Sequence, residues 1–305
     1  MGREFDVSII GSGPAGLTAG IYTSRAKLRT VLLEKENFGG YVTNIELVDN
    51  FPGSANISGQ KLSANMLAQI RQFDIQLAMA EATGIIVDEK GITVETDGDR
   101  YECNAMIIAS GANPRKLDVP GEEEFSGKGV FYCATCDGAH FQDKAVAVAG
   151  GGDSALTEAL NLTRICHEVI IIEIMPELTA TSIIRDKVLN NPKIDVLCGV
   201  SIERINGDER VRSLDLFDTE TQSKGTLDVD GILIHVGRKP NTGFLNGIVR
   251  LSEDGFILVD DRMETKTPGI FAAGDVRHNS PMQIVSACGD GAVAATSVIK
   301  KIGMR

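Results

Sequence analysis

Two cysteines separated by two residues, Cys133 and Cys136, are the part of this sequence whose types and spacing most directly indicate chemistry. Such a pair can close into a small disulfide, in which one thiol acts as a nucleophile and the other resolves the adduct. Asp137 follows the second cysteine directly and can supply the proton that a leaving thiolate needs. On its own, the pattern also fits half of a zinc site or two ordinary core cysteines.

The rest of the chain favours a redox pair and predicts no metal site. Zinc would need about two further ligands at suitable spacing, and the sequence has no second Cys-x-x-Cys and no paired histidines. His140 lies four positions after Cys136, but no fourth ligand accompanies it. The other cysteines lie in or near apolar segments and are expected to be small buried residues. They are Cys103, Cys166, Cys198 and Cys288.

The N-terminal segment predicts a dinucleotide-binding element. Residues 7–16 combine a buried-strand pattern with a glycine turn, and a helical pattern follows. Gly11 permits a tight turn, Gly13 lets a pyrophosphate approach the backbone, and Gly16 lets helix and strand pack closely. The next predicted strand ends at Glu34, 21 positions after Gly13. At that spacing a carboxylate can accept hydrogen bonds from an adenosine ribose.

The same arrangement recurs at residues 145–155, where an apolar strand leads into Gly150, Gly152 and Ala155. The strand after it ends at Glu173, again 21 positions after Gly152. A single glycine fingerprint is a weak signal, but two copies with matching acid spacing predict two dinucleotide-binding domains. The competing interpretation is a pair of glycine-rich turns within one α/β sheet.

Length and motif order predict two domains, the second inserted into the first. After the second predicted dinucleotide-binding element, residues 270–275 have the pattern of another core strand, and a last helix is expected at about 289–301. The predicted fold class is α/β, with two Rossmann-like three-layer domains that bind dinucleotides. The expected boundaries are 1–113 with 244–305 for the first domain and 114–243 for the inserted domain.

Charge and composition exclude several classes of partner. Lys and Arg number 30 against 42 Asp and Glu, so the net charge of −12 argues against nonspecific binding to nucleic acid or to an acidic membrane. The N-terminal apolar run is too short to span a membrane and lacks a cleavage signal, so a cytoplasmic location is expected. The acidic run Glu122-Glu123-Glu124 is expected to be solvated surface.

With these motifs in this order, the chain resembles the low-molecular-weight thioredoxin reductases along almost its whole length. The most specific match is the segment Cys133-Ala134-Thr135-Cys136-Asp137-Gly138, placed just ahead of the second glycine turn. Supporting matches are Asp49-Asn50-Phe51-Pro52-Gly53 and Ala272-Ala273-Gly274-Asp275-Val276.

The resemblance implies FAD in the first domain, a pyridine nucleotide in the inserted one, and a homodimer. Cys136 would face the flavin, Cys133 would exchange with thioredoxin, and Asp137 would protonate a leaving thiolate. The predicted FAD-binding residues are Gly11, Gly13, Pro14, Ala15, Gly16, Glu34, Gly39, Gly40, Tyr41, Asn50, Ser110, Gly111, Gly274, Asp275, Gln283 and Ile284. The predicted nucleotide-binding residues are Gly150, Gly152, Asp153, Ser154, Ala155 and Glu173.

The sequence departs from the family where NADPH-using members carry a basic cluster that grips the 2′-phosphate. The residues at those positions are Glu173, Ile174, Met175 and Thr179. Glu173 would repel a phosphate and can hold a free ribose diol, so NADH is the simplest donor. If the nucleotide site is vestigial, the flavin would take electrons from ferredoxin or another donor.

The sequence therefore predicts an FAD-dependent enzyme that reduces the disulfide of thioredoxin or a thioredoxin-like protein. In it, electrons pass from the donor to FAD, to Cys133 and Cys136, and to the partner. A dithiol oxidase or a peroxidase-reductase flavoprotein could use the same pair. A flavin-bearing redox sensor without turnover is an alternative from another class.

Overall fold

The computed structural model of the protein describes residues 3–45, 48, 50–89 and 91–303, apart from the side chains of Thr135 and Cys136. Asp49, which belongs to one of the family motifs, lies outside the described residues. The chain forms two compact units. The first comprises Met1–Asn113 and Lys239–Arg305, and the second comprises Pro114–Arg238.

The chain returns to the first unit between Arg238 and Lys239, earlier than the expected boundary between residues 243 and 244. Asn241 accounts for the difference because it is bound to Ser110, which belongs to the first unit. The Ser110 hydroxyl donates to the Asn241 carbonyl oxygen (2.7 Å), and the Asn241 side-chain amide donates to the Ser110 carbonyl oxygen (2.8 Å). A pairing between residues so distant in sequence leaves no local pattern.

The described part of the chain contains six α-helices and seventeen β-strands. The helices are α1 (Pro14–Arg25), α2 (Gly59–Ile70), α3 (Ala134–Asp137), α4 (Asp153–Leu162), α5 (Ser182–Leu189) and α6 (Ile284–Gly303). The strands are β1 (Arg3–Ile10), β2 (Thr30–Glu34), β3 (Gln76–Met79), β4 (Ala82–Asp88), β5 (Gly91–Thr96), β6 (Arg100–Ile108), β7 (Ala112–Pro114), β8 (Val130–Phe131), β9 (Ala145–Ala149), β10 (Glu168–Glu173), β11 (Ile194–Cys198), β12 (Val200–Gly207), β13 (Val211–Asp218), β14 (Ser223–Asp228), β15 (Gly231–Ile234), β16 (Arg238–Pro240) and β17 (Ile270–Ala272).

The first unit is built on a parallel sheet with the strand order β3-β2-β1-β6-β17. β6 pairs with antiparallel β5 along its first half and with β17 along its second half, and β4 adds to β5. Ile107 of β6 packs with apolar residues of α1 and α6, whereas Ile108 lies in the core on the opposite face. Burial on both faces explains why these strands are continuous apolar runs.

The second unit repeats this plan with the parallel sheet β11-β10-β9-β15-β8 and the antiparallel sheet β12-β13-β14. Ile171 of β10 packs against the side of the sheet that α4 and α5 cover, whereas Ile170 and Ile172 lie in the core beneath β12–β14. Each unit therefore has three layers, which confirms the predicted fold class of two Rossmann-like α/β units.

Strand register places the two glycine turns at equivalent edges of the sheets. In the first unit, Ile10 is aligned with Leu33 of β2 and Ile108 of β6. In the second unit, Ala149 is aligned with Ile172 of β10. The residues that follow these positions leave the carboxyl ends of neighbouring parallel strands. In open α/β sheets, that edge is where ligands bind.

Within the described ranges, no helix has both the length and the apolar character that crossing a bilayer requires.

Candidate active site

The Cys-x-x-Cys segment lies in the second unit between β8 and β9. Cys133 directly precedes α3 and takes part in a disulfide bond. The side chain of Cys136, the predicted flavin-facing thiol, lies outside the described residues. The backbone amide of Asp137 donates a hydrogen bond to the Cys133 carbonyl oxygen (3.1 Å). This bond closes the single turn of α3 directly after Cys133.

Apolar packing holds this turn on both sides. The rings of Phe131 and Phe141 stack with their centroids 4.6 Å apart, and Ala134 is buried beside them. A methyl group on Gly138 would lie 3.2 Å from the Cδ2 atom of Leu162, so the segment packs closely on α4. The Cys-x-x-Cys segment is therefore anchored to the core of its own unit.

The four free cysteines are poor nucleophiles, because burial raises the pKa of each thiol. The pKa is raised to about 12 for Cys103 and to about 11 for Cys166. Burial and then the charge of Glu173 raise the pKa of Cys198, and burial raises the pKa of Cys288. Cys103 and Cys166 are buried as expected, whereas Cys198 and Cys288 are only partly buried.

The described residues contain no group of three His, Cys, Asp or Glu side chains that could hold a metal ion.

The first glycine turn forms a cradle that presents backbone rather than side chains. Gly11 has φ of +99°, and a methyl group there would collide with the Ala109 carbonyl oxygen. A methyl group on Gly16 would collide with the carbonyl oxygen of Gly11, and one on Gly40 would lie 2.7 Å from the Cα atom of Gly13. α1 begins without a side-chain cap, so the amides of its first turn are left for an anion such as a pyrophosphate.

Glu34 ends β2 beside this cradle, and its carboxylate is oriented by the protein itself. The amide and hydroxyl of Ser12 donate to Oε2 (2.9 and 2.6 Å), and the amides of Lys35 and Glu36 donate to Oε1 (2.9 and 3.1 Å). A carboxylate has about four acceptor sites. Donors from the protein itself therefore satisfy the Glu34 carboxylate.

The Gly-Asp turn after β17 lies against the start of α1. Gly274 has φ of +78°, and a methyl group there would lie 2.9 Å from the Cβ atom of Ala15. The Asp275 carboxylate accepts a hydrogen bond from the Ser280 hydroxyl (3.2 Å). Gly274 and Asp275, two of the predicted FAD-binding residues, therefore lie beside the N-terminal turn of α1, which follows the first glycine turn.

The remaining predicted FAD residues lie in the same unit. The Asn50 side-chain amide donates to Gln283 Oε1 (3.0 Å), and Ile284 is the first residue of α6. The Gly39 amide donates to the carbonyl and hydroxyl oxygens of Ser12 (both 3.1 Å). These bonds join Gly39 and Gly40 to the first glycine turn. Tyr41 is 40% exposed.

Two further predicted positions, Ser110 and Gly111, follow the end of β6. Gly11 packs against this end of the strand, because a methyl group on it would also lie 3.0 Å from the Cα atom of Ser110.

A buried ion pair that sequence reasoning missed supports the Gly-Asp turn. Arg277 Nε and Nη2 donate to Asp290 Oδ2 (2.6 Å) and Oδ1 (3.0 Å), and Asp290 Oδ2 also accepts the Gly274 amide (3.1 Å). Both charged side chains are largely buried. The signal in the sequence was an aspartate within an apolar helix, which is a costly position unless a partner neutralises the charge.

The second glycine turn, in the other unit, forms a similar cradle. Gly150 has φ of +125°, and a methyl group there would lie 2.5 Å from the His235 carbonyl oxygen. Ala155 is buried and lets α4 pack closely on this turn, and Ser154 is exposed on the first turn of the helix. α4 follows Gly152 without a side-chain cap, which again leaves amides for an anion.

Two predicted nucleotide residues make contacts within the protein. Asp153 Oδ1 accepts the Thr181 amide (2.6 Å), so it joins α4 to the start of α5. Glu173 is only 7% exposed, and its Oε1 accepts the Met175 amide (2.8 Å). A methyl group on Gly151 would collide with Glu173 Oε2, which places the carboxylate directly against the glycine turn.

Both cradles fit a dinucleotide, because each combines glycines that a side chain would obstruct, an uncapped helix N-terminus and an acid at the next strand end. The chain matches the family model described as pyridine nucleotide-disulphide oxidoreductase over residues 5–291. It is 41% identical over 297 residues to the thioredoxin reductase of Bacillus subtilis (strain 168), covering 97% of this chain and 94% of that protein. The chain belongs to the thioredoxin reductase family.

Solved structures of this family agree with that membership. The crystal structure of thioredoxin reductase from Streptococcus pyogenes MGAS5005 matches with a TM-score of 0.94 and 36% identity, covering 100% of both chains. A ferredoxin-flavin thioredoxin reductase from Clostridium acetobutylicum matches with a TM-score of 0.55 and 27% identity, covering 99% of each chain. Membership of the family implies FAD and a pyridine nucleotide as cofactors.

Proposed function

We propose that the protein is an FAD-dependent reductase of the disulfide of thioredoxin or a thioredoxin-like protein. The observation that carries the proposal is the disulfide at Cys133. This residue directly precedes α3, in the unit that also contains the second glycine turn. The free cysteines have pKa values that burial raises, so they are unsuited to the exchange.

When bound, FAD would accept the electron pair of the donor and supply it to the disulfide. The Cys133 thiolate would then attack the partner disulfide, breaking its S–S bond and forming a mixed disulfide. Attack by Cys136 on that bond would release the partner as a dithiol and restore the internal disulfide. Asp137 would protonate the leaving thiolate, since it lies next to Cys136 and is partly exposed to solvent.

Substitution of single cysteines tests this proposal. Cys133→Ser should lower thioredoxin reduction at least about a hundredfold, because the attacking thiolate is lost. Bleaching of the flavin by the electron donor should persist. Cys166→Ser is the matched control and should retain the turnover of the unmodified protein. Thioredoxin reduction by the Cys133 variant would contradict the role of that thiol. Failure of the dithionite-reduced protein to reduce any thioredoxin-fold partner would contradict the proposed function and favour the oxidase, peroxidase-reductase or sensor alternatives.

We propose NADH as the donor. Support comes from Glu173, whose carboxylate lies against the glycine turn where the adenosine ribose would approach. Ile174 and Met175 follow it and are 62% and 52% exposed, so apolar side chains stand where a 2′-phosphate would need cations. Ferredoxin is the second candidate, favoured by the similarity to the ferredoxin-flavin thioredoxin reductase.

Anaerobic mixing with NADH, NADPH or reduced ferredoxin, followed through the visible flavin band, separates these donors. NADH should bleach the flavin rapidly and NADPH slowly. Glu173→Ala should make the bleaching rates with NADH and NADPH more similar, because it removes the negative charge that opposes the 2′-phosphate of NADPH. Glu177→Ala, which removes a nearby charge outside the predicted site, is the control. Rapid bleaching by micromolar NADPH would overturn the assignment, and bleaching by ferredoxin alone would favour the second candidate.

We also propose that the protein works as a cytoplasmic homodimer. Tyr22, Val285 and Val293 of the first unit are large apolar side chains that are substantially exposed, as expected of a surface that a second copy covers. Light scattering coupled to size-exclusion chromatography would test this, and a monomer at micromolar concentration would contradict it.

A further inference from the structure

Glu122 is a buried carboxylate that the proposed reaction does not use. It is 3% exposed, although the acidic run that contains it was expected to be solvated surface; Glu123 and Glu124 are exposed. Its Oε1 accepts the Tyr132 hydroxyl (2.7 Å), and its Oε2 accepts the Asp118 amide (2.8 Å). Burying a carboxylate is costly without such partners, so a specific role has to be considered.

The turn that carries Glu122 is fixed to the core of the second unit. The Ile205 amide in β12 donates to the Pro120 carbonyl oxygen (2.9 Å). Gly121 has φ of +91°, and a methyl group there would collide with the Ile205 carbonyl oxygen. Asp118 also adopts a left-handed conformation, with φ of +58°. Glu122 is therefore presented by a backbone that has little room to move.

The Tyr132 end of this hydrogen bond lies directly before the redox-active Cys133. β8 is an edge strand of only two residues, and its pairing with β15 ends where Phe131 meets Leu233. Beyond that point the ladder no longer holds the backbone. Together with the buried side chain of Ala134, the bond from the Tyr132 hydroxyl to Glu122 ties this segment to the fold beyond the ladder.

We propose that Glu122, through Tyr132, is a positioning residue for the Cys133 thiolate. The inference rests on the proposed disulfide reductase function. While the disulfide is closed, the S–S bond itself restrains Cys133. Once the pair is reduced, that covalent restraint is gone, and the hydrogen bond from Tyr132 to the fixed carboxylate keeps the sulfur aligned for attack on the partner disulfide.

The mechanism predicts a change in turnover rather than in partner binding. A displacement of about 1 Å at a reacting atom can cost on the order of a hundredfold in rate. Tyr132→Phe should therefore lower kcat for thioredoxin about ten- to hundredfold, with KM changed less than about twofold. Alkylation of Cys133 by iodoacetamide in the dithionite-reduced protein should change little, because a small reagent needs no fixed approach.

Tyr132→Phe leaves one oxygen of a buried carboxylate without its partner, and this can also destabilise the fold. The double variant Glu122→Leu with Tyr132→Phe removes the carboxylate together with the hydroxyl. Only the amide of exposed Asp118 then loses its acceptor, so most of the thermal stability should be recovered. The double variant should nevertheless keep the low kcat. Glu124→Gln removes a charge from an exposed position in the same acidic run, and it should behave like the unmodified protein.

The outcomes distinguish the inference from the function on which it rests. If the unmodified protein reduces no thioredoxin-fold partner, the proposed function fails. If it does, and the double variant keeps full kcat, the positioning role is wrong. A kcat that recovers together with thermal stability in the double variant also overturns the inference, since Glu122 would then act on the fold alone.

Discussion

At the scale of single residues, the buried ion pair of Arg277 and Asp290 is expected to contribute strongly to the free energy of unfolding. Removing one partner of a buried pair leaves an uncompensated charge and typically costs about 3–5 kcal/mol. Here the same carboxylate also accepts the Gly274 amide, so the loss reaches the turn that is predicted to hold FAD.

Arg277→Ala should therefore lower the unfolding temperature and reduce the FAD retained after gel filtration, measured by flavin absorbance per protein. Arg212→Ala, which breaks the exposed pair with Asp208, should change neither quantity. An Arg277 variant with full flavin content and unchanged stability would show that the pair does not support the turn.

At the scale of elements, α6 contains one glycine that packs tightly against α1 and another that has free space around it. A methyl group on Gly291 would collide with the Ala15 carbonyl oxygen of α1, whereas one on Gly289 would meet nothing within 4 Å. Both residues lie in the helix interior, where glycine is a weak helix former. The two positions therefore predict opposite responses to the same substitution.

Gly291→Ala should lower the free energy of unfolding by about 1–3 kcal/mol, because α1 and α6 must move apart. Gly289→Ala should raise it by up to about 1 kcal/mol, because alanine is the better helix former. Urea denaturation of the two variants measures both values. Equal effects of the same sign would show that the contact between the helices does not decide the outcome.

The elements also show how much the sequence could predict. The units β1-α1-β2 and β9-α4-β10 follow from periodicity and glycine spacing, because these signals are local. The last helix begins at Ile284 rather than near Gly289. Gly289 and Gly291 are weak helix formers inside it, so the sequence pattern does not show that the helix extends across them to Ile284. The burial of Glu122 and the bond of Asn241 to Ser110 could not be predicted, because their partners are fixed only by the tertiary fold.

At the scale of the whole molecule, two separate cores predict separate folding. The second unit is one continuous segment, Pro114–Arg238, with apolar clusters on both faces of its sheet. The first unit is made of two segments that the second interrupts. A continuous segment with its own core is the part expected to fold alone.

Expressed by itself, the segment 114–238 should show a cooperative urea transition by circular dichroism and should protect the amides of β9, β10 and β15 from hydrogen exchange. It should retain no FAD. A broad transition without amide protection would contradict an independent core. Residues 1–113 alone should fail to fold, since β17 and α6 belong to the other segment.

If NADH is the donor, the Glu173 carboxylate that lies against Gly151 has a consequence for cell physiology. Cells keep the unphosphorylated nicotinamide nucleotide mainly for the oxidation of fuel and the phosphorylated form mainly for biosynthesis. A reductase that draws on the first pool would couple the thiol state of its thioredoxin to the supply of fuel, so starvation and oxidative stress would reach the same protein targets through one acidic side chain.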